Sequence, residues 1–145
     1  MIARKFLVLD TVLAGLATGA VQAQEVAPND LPVTRIGHGV RSADDPALMA
    51  ELARRGIVLE VCPGSNIALG LYPDRQSHPL HRLIEAGVRV TLNSDDPPFF
   101  HTTLGEEYDK AGLGEAALRG IARTAIEASF ADEATKQRLL REIGP

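Results

Sequence analysis

The sequence contains a single cysteine, Cys62, among its 145 residues, which excludes disulfide frameworks and cysteine-ligated zinc fingers. It also lacks an excess of positive charge: 15 basic and 19 acidic residues give a formal net charge of −4, which argues against a nucleic-acid-binding surface. An apolar fraction of 45% argues against a disordered tail, and the length allows one modest core and one domain. Because Cys62 adjoins Pro63 at the end of an apolar run, we expect an inert, partly buried thiol rather than a nucleophile.

The first 29 residues stand apart from the rest of the sequence. Arg4 and Lys5 precede a mostly apolar stretch over 6–20, and Ala23 ends a small-residue pattern that a signal peptidase would read. Asp10 fits a signal peptide poorly, and the stretch is too short and interrupted for a stable membrane span. Residues 1–29 are therefore interpreted either as a signal-like segment or as a segment unrelated to the remainder, with 30–145 as the folded portion.

Two segments repeat the order helix, glycine, apolar strand. In the first, Asp45 caps a helix that begins at Pro46, Gly56 ends it, and a strand follows over 57–61. In the second, a helix over 78–86 is followed by a strand over 88–92. A short strand near 34–37 precedes both. Repeated units of this kind predict parallel strands joined by helical crossovers, and hence the α/β class.

The pattern after the second unit is helical. Thr103 and Glu106 form a capping box, which predicts the start of a short helix. Apolar residues with helical spacing predict a longer helix, and a last helix is expected over 132–143. The apolar residues expected to face the core are Leu118, Ile121, Ala122, Ala125 and Ile126, then Leu139, Leu140 and Ile143.

Adjacent carboxylates, Asp95 and Asp96, lie just after the strand over 88–92, and Pro97 prevents that strand from continuing. The carboxyl ends of parallel strands are where α/β folds place their chemistry. A divalent metal or a hydrogen-bonding substrate would offset the repulsion between the two aspartates. Asp-Asp-Pro is also ordinary turn chemistry, so these residues alone leave a site and a solvated turn both open.

A histidine between glycines, His38, lies at the end of the first strand. Gly37 and Gly39 allow a sharp turn and let a ligand approach the imidazole, although a lone histidine of this kind is more often part of a turn or a core than a catalyst. Taken with four segments further along the chain, this one resembles the C-terminal part of the adenosine deaminase family, within the metal-dependent amidohydrolases. The ordered set is Arg35-Ile36-Gly37-His38-Gly39, Glu60-Val61-Cys62-Pro63-Gly64-Ser65-Asn66, His78-Pro79, Ser94-Asp95-Asp96-Pro97 and Thr103-Leu104-Gly105-Glu106-Glu107-Tyr108.

The resemblance implies a TIM (β/α)8 barrel, of which residues 30–145 would form the C-terminal portion. A closed barrel needs about 200 residues or more, so we expect a partial barrel with about three parallel strands, equivalent to the sixth, seventh and eighth. Such a sheet has two bare edges, and we expect a tendency to self-associate through them.

The resemblance also implies a chemistry. Family members are similar in using one Zn²⁺, held by three histidines and an aspartate, to ionise the water that attacks C6 of adenosine, giving inosine and ammonia. Asp95 matches the metal-ligating, catalytic aspartate, Asp96 the aspartate that hydrogen-bonds N7 of the purine, and His38 the histidine that orients the attacking oxygen. Because parallel barrel strands end at the same rim, we expect His38 and the two aspartates to meet there, and we expect Ser65 and Asn66 to support them through hydrogen bonds.

Other parts of the family pattern are absent from this sequence. It contains no His-x-His pair, and its remaining histidines, His78, His81 and His101, do not match ligand positions. We interpret His78 and His81, three residues apart, as one surface face of a helix. Zinc binding by this chain alone is therefore expected to be weak, because zinc sites need three or four protein ligands.

The sequence is consistent with two functions. In the first, the chain is the truncated C-terminal portion of a deaminase and is inactive alone. The segment from Phe99 to Leu104 resembles the nucleoside branch of the family, which implies the purine nucleoside adenosine as substrate rather than adenine or another aminopurine. In the second, it is a non-enzymatic remnant or interaction module. The resemblance implies a cytoplasmic protein, whereas an exported one is expected if residues 1–23 act as a signal peptide.

Overall fold

The computed structural model describes residues 33–144, which contain a three-stranded parallel sheet of order β1-β2-β3. In register, Ile36 pairs with Leu59 and Leu59 with Val90. The α/β class and the parallel strands predicted from the repeated units are confirmed. The signal-like segment 1–29 lies outside the described residues. The strands are β1 (Arg35–Gly37), β2 (Val58–Val61) and β3 (Arg89–Leu92).

Helices fill the crossovers and the C-terminal part of the described chain. None of those within 33–144 is long and apolar enough to cross a membrane. A 3₁₀ turn over Val40–Asp44 precedes the first α-helix. The helices are α1 (Pro46–Arg55), α2 (Pro63–Ala68), α3 (Leu80–Glu85), α4 (Pro97–Phe100), α5 (Leu104–Asp109), α6 (Glu115–Ala128) and α7 (Glu133–Ile143).

Helix α1 forms where the sequence predicts it. The Asp45 side chain accepts hydrogen bonds from the Ala47 and Leu48 amides at 2.9 and 3.3 Å, which satisfies two donors that have no partner inside the helix. Gly56 ends the helix at φ 65°, in the left-handed region that favours glycine. The capping box of Thr103 and Glu106 is likewise present at the start of α5.

Helix α3 begins later than the predicted residue 78. Its first residue is Leu80, because Pro79 disfavours the helical conformation at the residue before it. His78 therefore precedes the helix and is buried, at 4% exposure, while His81 lies on α3 and is exposed. The interpretation of His78 and His81 as one surface face is wrong for His78.

The core lies between the sheet and its helices. The side chains with 0% exposure include Leu59 and Val61 of β2 and Leu83 of α3. Burial of the two β2 residues is expected because β2 is the middle strand of a parallel sheet. Ile121 of α6 is buried, whereas the apolar residues of α7 are only half-buried, less than predicted. Within 33–144, β1 and β3 are the edges of the sheet; self-association through them stays a prediction.

Candidate active site

Two residues singled out from the sequence, His38 and Asp95, meet beyond the carboxyl ends of β1 and β3. Each comes shortly after its strand, and parallel neighbours end at the same edge of the sheet. Both have left-handed backbones, with φ 55° at His38 and φ 60° at Asp95. A non-glycine residue in this region is uncommon, and such conformations cluster at functional sites.

The His38 imidazole faces the Asp95 carboxylate. His38 Nε2 lies 3.6 Å from Asp95 Oδ2, and both side chains are 31% exposed. Ser65 donates a hydrogen bond from Oγ to the same Asp95 oxygen at 2.6 Å, as the expectation of a bracing role requires. The two groups open onto a cleft of about 340 Å³, lined by Gly37, His38, Glu60, Cys62, Asn93, Ser94, Asp95 and Leu104.

Ligand atoms suited to a metal converge in this cleft. One atom each from His38, Cys62 and Asp95 lie within 4.8 Å of one another. Imidazole nitrogen and carboxylate oxygen are both ordinary zinc ligands. Burial, followed by the nearby charge of Asp95, raises the pKa of the Cys62 thiol to about 12, so this group is protonated at neutral pH. The cleft thus fits zinc through Asp95, with His38 beside it. Cys62 is buried, as expected, whereas its lack of reactivity stays a prediction.

A second layer of polar groups lies behind His38. Asn66 Nδ2 is 3.5 Å from His38 Nδ1, and Asn66 Oδ1 is 3.1 Å from His78 Nε2. The Leu80 amide donates to His78 Nδ1 at 3.2 Å. Burial, and then the positive charge of Arg75, lowers the pKa of His78 to about 4. Sequence reasoning missed His78; the proline directly after it is the signal that could have placed it outside the helix.

A buried carboxylate, Glu107 of α5, holds the start of α2. It is 0% exposed and accepts hydrogen bonds from the Gly64 amide at 3.1 Å, from Thr102 Oγ1 at 2.7 Å and from Arg75 at 3.1 and 3.2 Å. Ser65, the next residue after Gly64, contacts Asp95. Nothing in the local pattern separates Glu107 from the exposed side of the same helix, so sequence reasoning also missed this group.

Asp96 has a different position from its neighbour. Its side chain accepts from the Phe99 amide at 3.3 Å and caps α4, and it is not among the residues that line the cleft. The structure therefore brings together His38 and Asp95, whereas contact between Asp96 and a substrate stays a prediction.

Comparison with known proteins extends these observations. A family model described as Adenosine deaminase matches residues 2–144. That range overlaps the segment 1–29, and the boundary drawn after residue 29 stays a prediction. The chain is 53% identical over 137 residues to a protein named adenine deaminase from Sinorhizobium medicae, an alignment that covers 92% of this chain and 42% of that protein. The chain thus spans about two fifths of the length of this curated relative.

Solved structures with a similar fold include an adenine deaminase from Arthrobacter aurescens, at TM-score 0.73 and 31% identity, covering 77% of this chain and 35% of that one. An amidohydrolase from Burkholderia ambifaria with bound Zn matches at TM-score 0.69 and 29% identity, over 78% and 33% of the two chains. Arabidopsis ADAL complexed with IMP matches at TM-score 0.65 and 29% identity, over 76% and 33%. These likenesses confirm the partial (β/α)8 barrel.

Proposed function

Because the chain belongs to the adenosine deaminase family, we propose that it contributes His38 and Asp95 to a site for hydrolytic deamination of an aminopurine, with adenine as the substrate. The observation that carries the proposal is the approach of His38 Nε2 to Asp95 Oδ2 inside an open cleft. The imidazole and the carboxylate lie together beyond the carboxyl ends of the strands. A reaction with water needs such groups to orient the water molecule and to transfer its proton.

We propose adenine as the substrate in place of the adenosine expected from the Phe99–Leu104 segment. The Sinorhizobium medicae relative and the Arthrobacter aurescens structure are both named adenine deaminase. The ADAL complex with IMP supports a ligand that contains a purine for this fold. The proposed substrate is therefore a small-molecule purine base, and its exocyclic amino group is the leaving group.

Zinc is the metal proposed for the site. The Burkholderia ambifaria structure holds Zn, and the carboxylate of Asp95 is a suitable ligand. When bound, zinc lowers the pKa of its water from 15.7 to about 7. A zinc site needs three or more protein ligands, and the sequence has no His-x-His pair, so weak zinc binding by this polypeptide alone is part of the proposal.

The chain's own groups have distinct roles in the proposed reaction. His38 donates a hydrogen bond from Nε2 to the water oxygen that adds to the purine, and this fixes the direction of attack. Asp95 accepts the proton that the water loses and keeps its orientation through Ser65. The proton then passes to the departing amino group, so that water and the aminopurine give the oxo-purine and ammonia. Asp96 is proposed to contact the purine.

A chimera tests the proposal. Residues 30–145 would replace the aligned segment of the Sinorhizobium medicae adenine deaminase, and ammonia release would be measured with zinc and adenine, adenosine or AMP. We expect turnover, with adenine the best substrate. Asp95→Asn should abolish turnover, while Asp44→Asn, which changes an exposed aspartate near Arg41 and Arg82, should not.

Other results would reject parts of the proposal. A chimera that prefers adenosine would exclude adenine as the substrate. A folded chimera without any turnover would favour the interaction module instead. Stoichiometric zinc together with adenine turnover by the 145-residue polypeptide alone would contradict the dependence on further ligands.

A further inference from the structure

We infer that His78, buried behind the cleft, is a positioning residue that sets, through Asn66, which ring nitrogen of His38 carries the proton. His78 is 4% exposed and lies outside the residues that line the cleft, so its effect on the reaction must pass through another side chain. The consequence for catalysis depends on the proposed function, whereas the proton position itself can be measured without it.

The direction of the hydrogen bonds is set by a backbone amide. The Leu80 N–H can only donate, and it lies 3.2 Å from His78 Nδ1, so that nitrogen must accept. A neutral imidazole with an accepting Nδ1 carries its proton on Nε2. Burial, with the charge of Arg75 second, lowers the pKa of His78 to about 4, and the ring is accordingly neutral near pH 7.

Asn66 transmits this direction to His38. The His78 Nε2–H donates to Asn66 Oδ1 at 3.1 Å, which fixes the orientation of the amide. The amide nitrogen then faces His38 Nδ1 at 3.5 Å and donates to it. His38 therefore accepts at Nδ1 and carries its proton on Nε2, the nitrogen that faces Asp95 at 3.6 Å.

This tautomer is the one the proposed reaction requires. A proton on Nε2 lets His38 donate into the cleft beside Asp95. In the other tautomer, the proton on Nδ1 would face the Asn66 amide group, which is also a donor, and Nε2 would have no proton to donate. Both Asn66 and His78 are buried, at 2% and 4% exposure, so water has little access to replace a lost hydrogen bond.

A purely structural role for His78 makes a different prediction. Its ring also packs edge-on against Tyr72, with 5.0 Å between ring centroids, and this contact alone would explain its burial. In that case His78→Phe, which keeps a ring against Tyr72, would leave the His38 tautomer unchanged. The two roles are therefore separated by the protonation of His38 and not by stability.

The experiment is a long-range ¹H–¹⁵N spectrum of the histidine-labelled 145-residue chain at neutral pH, which shows which ring nitrogens carry protons. His38 signals are assigned by their loss in His38→Asn. We expect His38 to be protonated on Nε2 and not on Nδ1. A proton on His38 Nδ1 in the unaltered chain would overturn the inference, as would unchanged His38 signals in a folded His78→Phe variant.

Two further variants test the relay if His78→Phe does not fold. Asn66→Asp presents only acceptors, so a proton should appear on His38 Nδ1. His78→Gln keeps a donor toward Asn66 and should retain the original tautomer. His81→Phe changes an exposed histidine that bonds Ala111 O at 3.1 Å, and it should leave His38 unchanged. An unshifted His38 in Asn66→Asp overturns the inference.

Failure of the proposed function would look different. The spectrum needs neither zinc nor a purine, so an inactive chimera rejects deamination and leaves the tautomer result intact. Conversely, an active chimera combined with an Nδ1 proton on His38 rejects the relay alone.

Discussion

Asp95 and Glu107 are both held by a network of hydrogen bonds, yet the two networks differ in kind. Glu107 is 0% exposed and receives four hydrogen bonds from three residues, Gly64, Arg75 and Thr102. Asp95 is 31% exposed, receives a short hydrogen bond from Ser65, and faces His38 across 3.6 Å in an open cleft. One carboxylate is enclosed by its partners, while the other is oriented but left accessible.

The difference separates support from chemistry. A buried carboxylate with all its oxygens occupied cannot bind anything further, and its removal leaves Arg75 and the Gly64 amide without their partner. An oriented carboxylate in a cleft has capacity for a metal or a water. The two are linked along the chain, because Glu107 holds Gly64 and the next residue, Ser65, holds Asp95. Variants at Asp95 should therefore change activity, whereas variants at Glu107 should change the free energy of unfolding.

The largest effect is expected for Asp95→Asn. The amide cannot accept a proton from water and is a poor metal ligand, so kcat of the chimera should fall by about a thousandfold or more, similar to the loss of a major electrostatic group. The free energy of unfolding should change little, because Asp95 is partly exposed. Steady-state ammonia release and urea denaturation measure the two quantities. A folded Asp95→Asn chimera with full activity would remove the distinction between the two carboxylates.

Glu107→Gln should produce the opposite result, a loss of stability. Breaking a buried ion pair by removing one partner costs about 3–5 kcal/mol, and Arg75 would be left with no carboxylate opposite its two nitrogens. Urea denaturation of the 145-residue chain checks this. Glu106→Gln is the matched control: Glu106 pairs with Lys110 at the surface, where solvent screens the ion pair, so this variant should change the free energy of unfolding little. Equal losses in both variants would contradict a supporting role for Glu107.

Gly64→Ala should disturb the same support by a smaller amount. A Cβ at Gly64 would fall on the Glu107 carboxylate, and overpacking of this kind costs about 1–3 kcal/mol. Gly120→Ala is the control, since a Cβ there meets nothing within 4 Å and the residue lies inside α6. That control should gain about 0.5–1 kcal/mol through helix propensity. An unaffected Gly64→Ala chain would mean that α2 can move away from Glu107 without cost.

Ser65 links the two hydrogen-bond networks, and Ser65→Ala should reduce stability by less than Gly64→Ala and activity by less than Asp95→Asn. It removes the 2.6 Å hydrogen bond to Asp95 while Glu107 and Gly64 keep their contact. Loss of one such bond destabilises by about 1 kcal/mol. Activity of the chimera should fall by about tenfold, as for other groups that orient a ligand. If kcat is unchanged, Asp95 is oriented without Ser65.

Local sequence patterns predicted the parts of the fold that depend on neighbouring residues. Asp45, Pro46 and Gly56 begin and end α1 as expected, because caps act within a few residues of the helix end. The convergence of His38 and Asp95 was predicted on similar grounds, since parallel strands share an edge.

Contacts between distant segments could not be read in the same way. Glu107 meets Arg75, 32 residues away, and nothing in the helix periodicity distinguishes it from Glu106. Asp95 and Asp96 are adjacent and of one residue type, yet Asp95 lines the cleft with φ 60° while Asp96 caps α4. Backbone conformation at a single residue decides this, and residue type alone does not fix it.

His78 lies between the two networks and should give the smallest effect at neutral pH. It bonds Asn66 on the side of His38, while burial first and the charge of Arg75 second lower its pKa from 6.5 to about 4, against a smaller opposing effect of Glu107. The unfolded chain therefore binds a proton below about pH 6.5 that the folded chain does not bind until about pH 4. The stability contributed by this neutral ring is fully present above that window and falls as the pH is lowered through it.

Urea denaturation from pH 7 to pH 4 should show a weaker pH dependence for His78→Gln than for the unaltered chain or His81→Gln. The same slope in all three would mean that His78 is as accessible to protons in the folded chain as in the unfolded one.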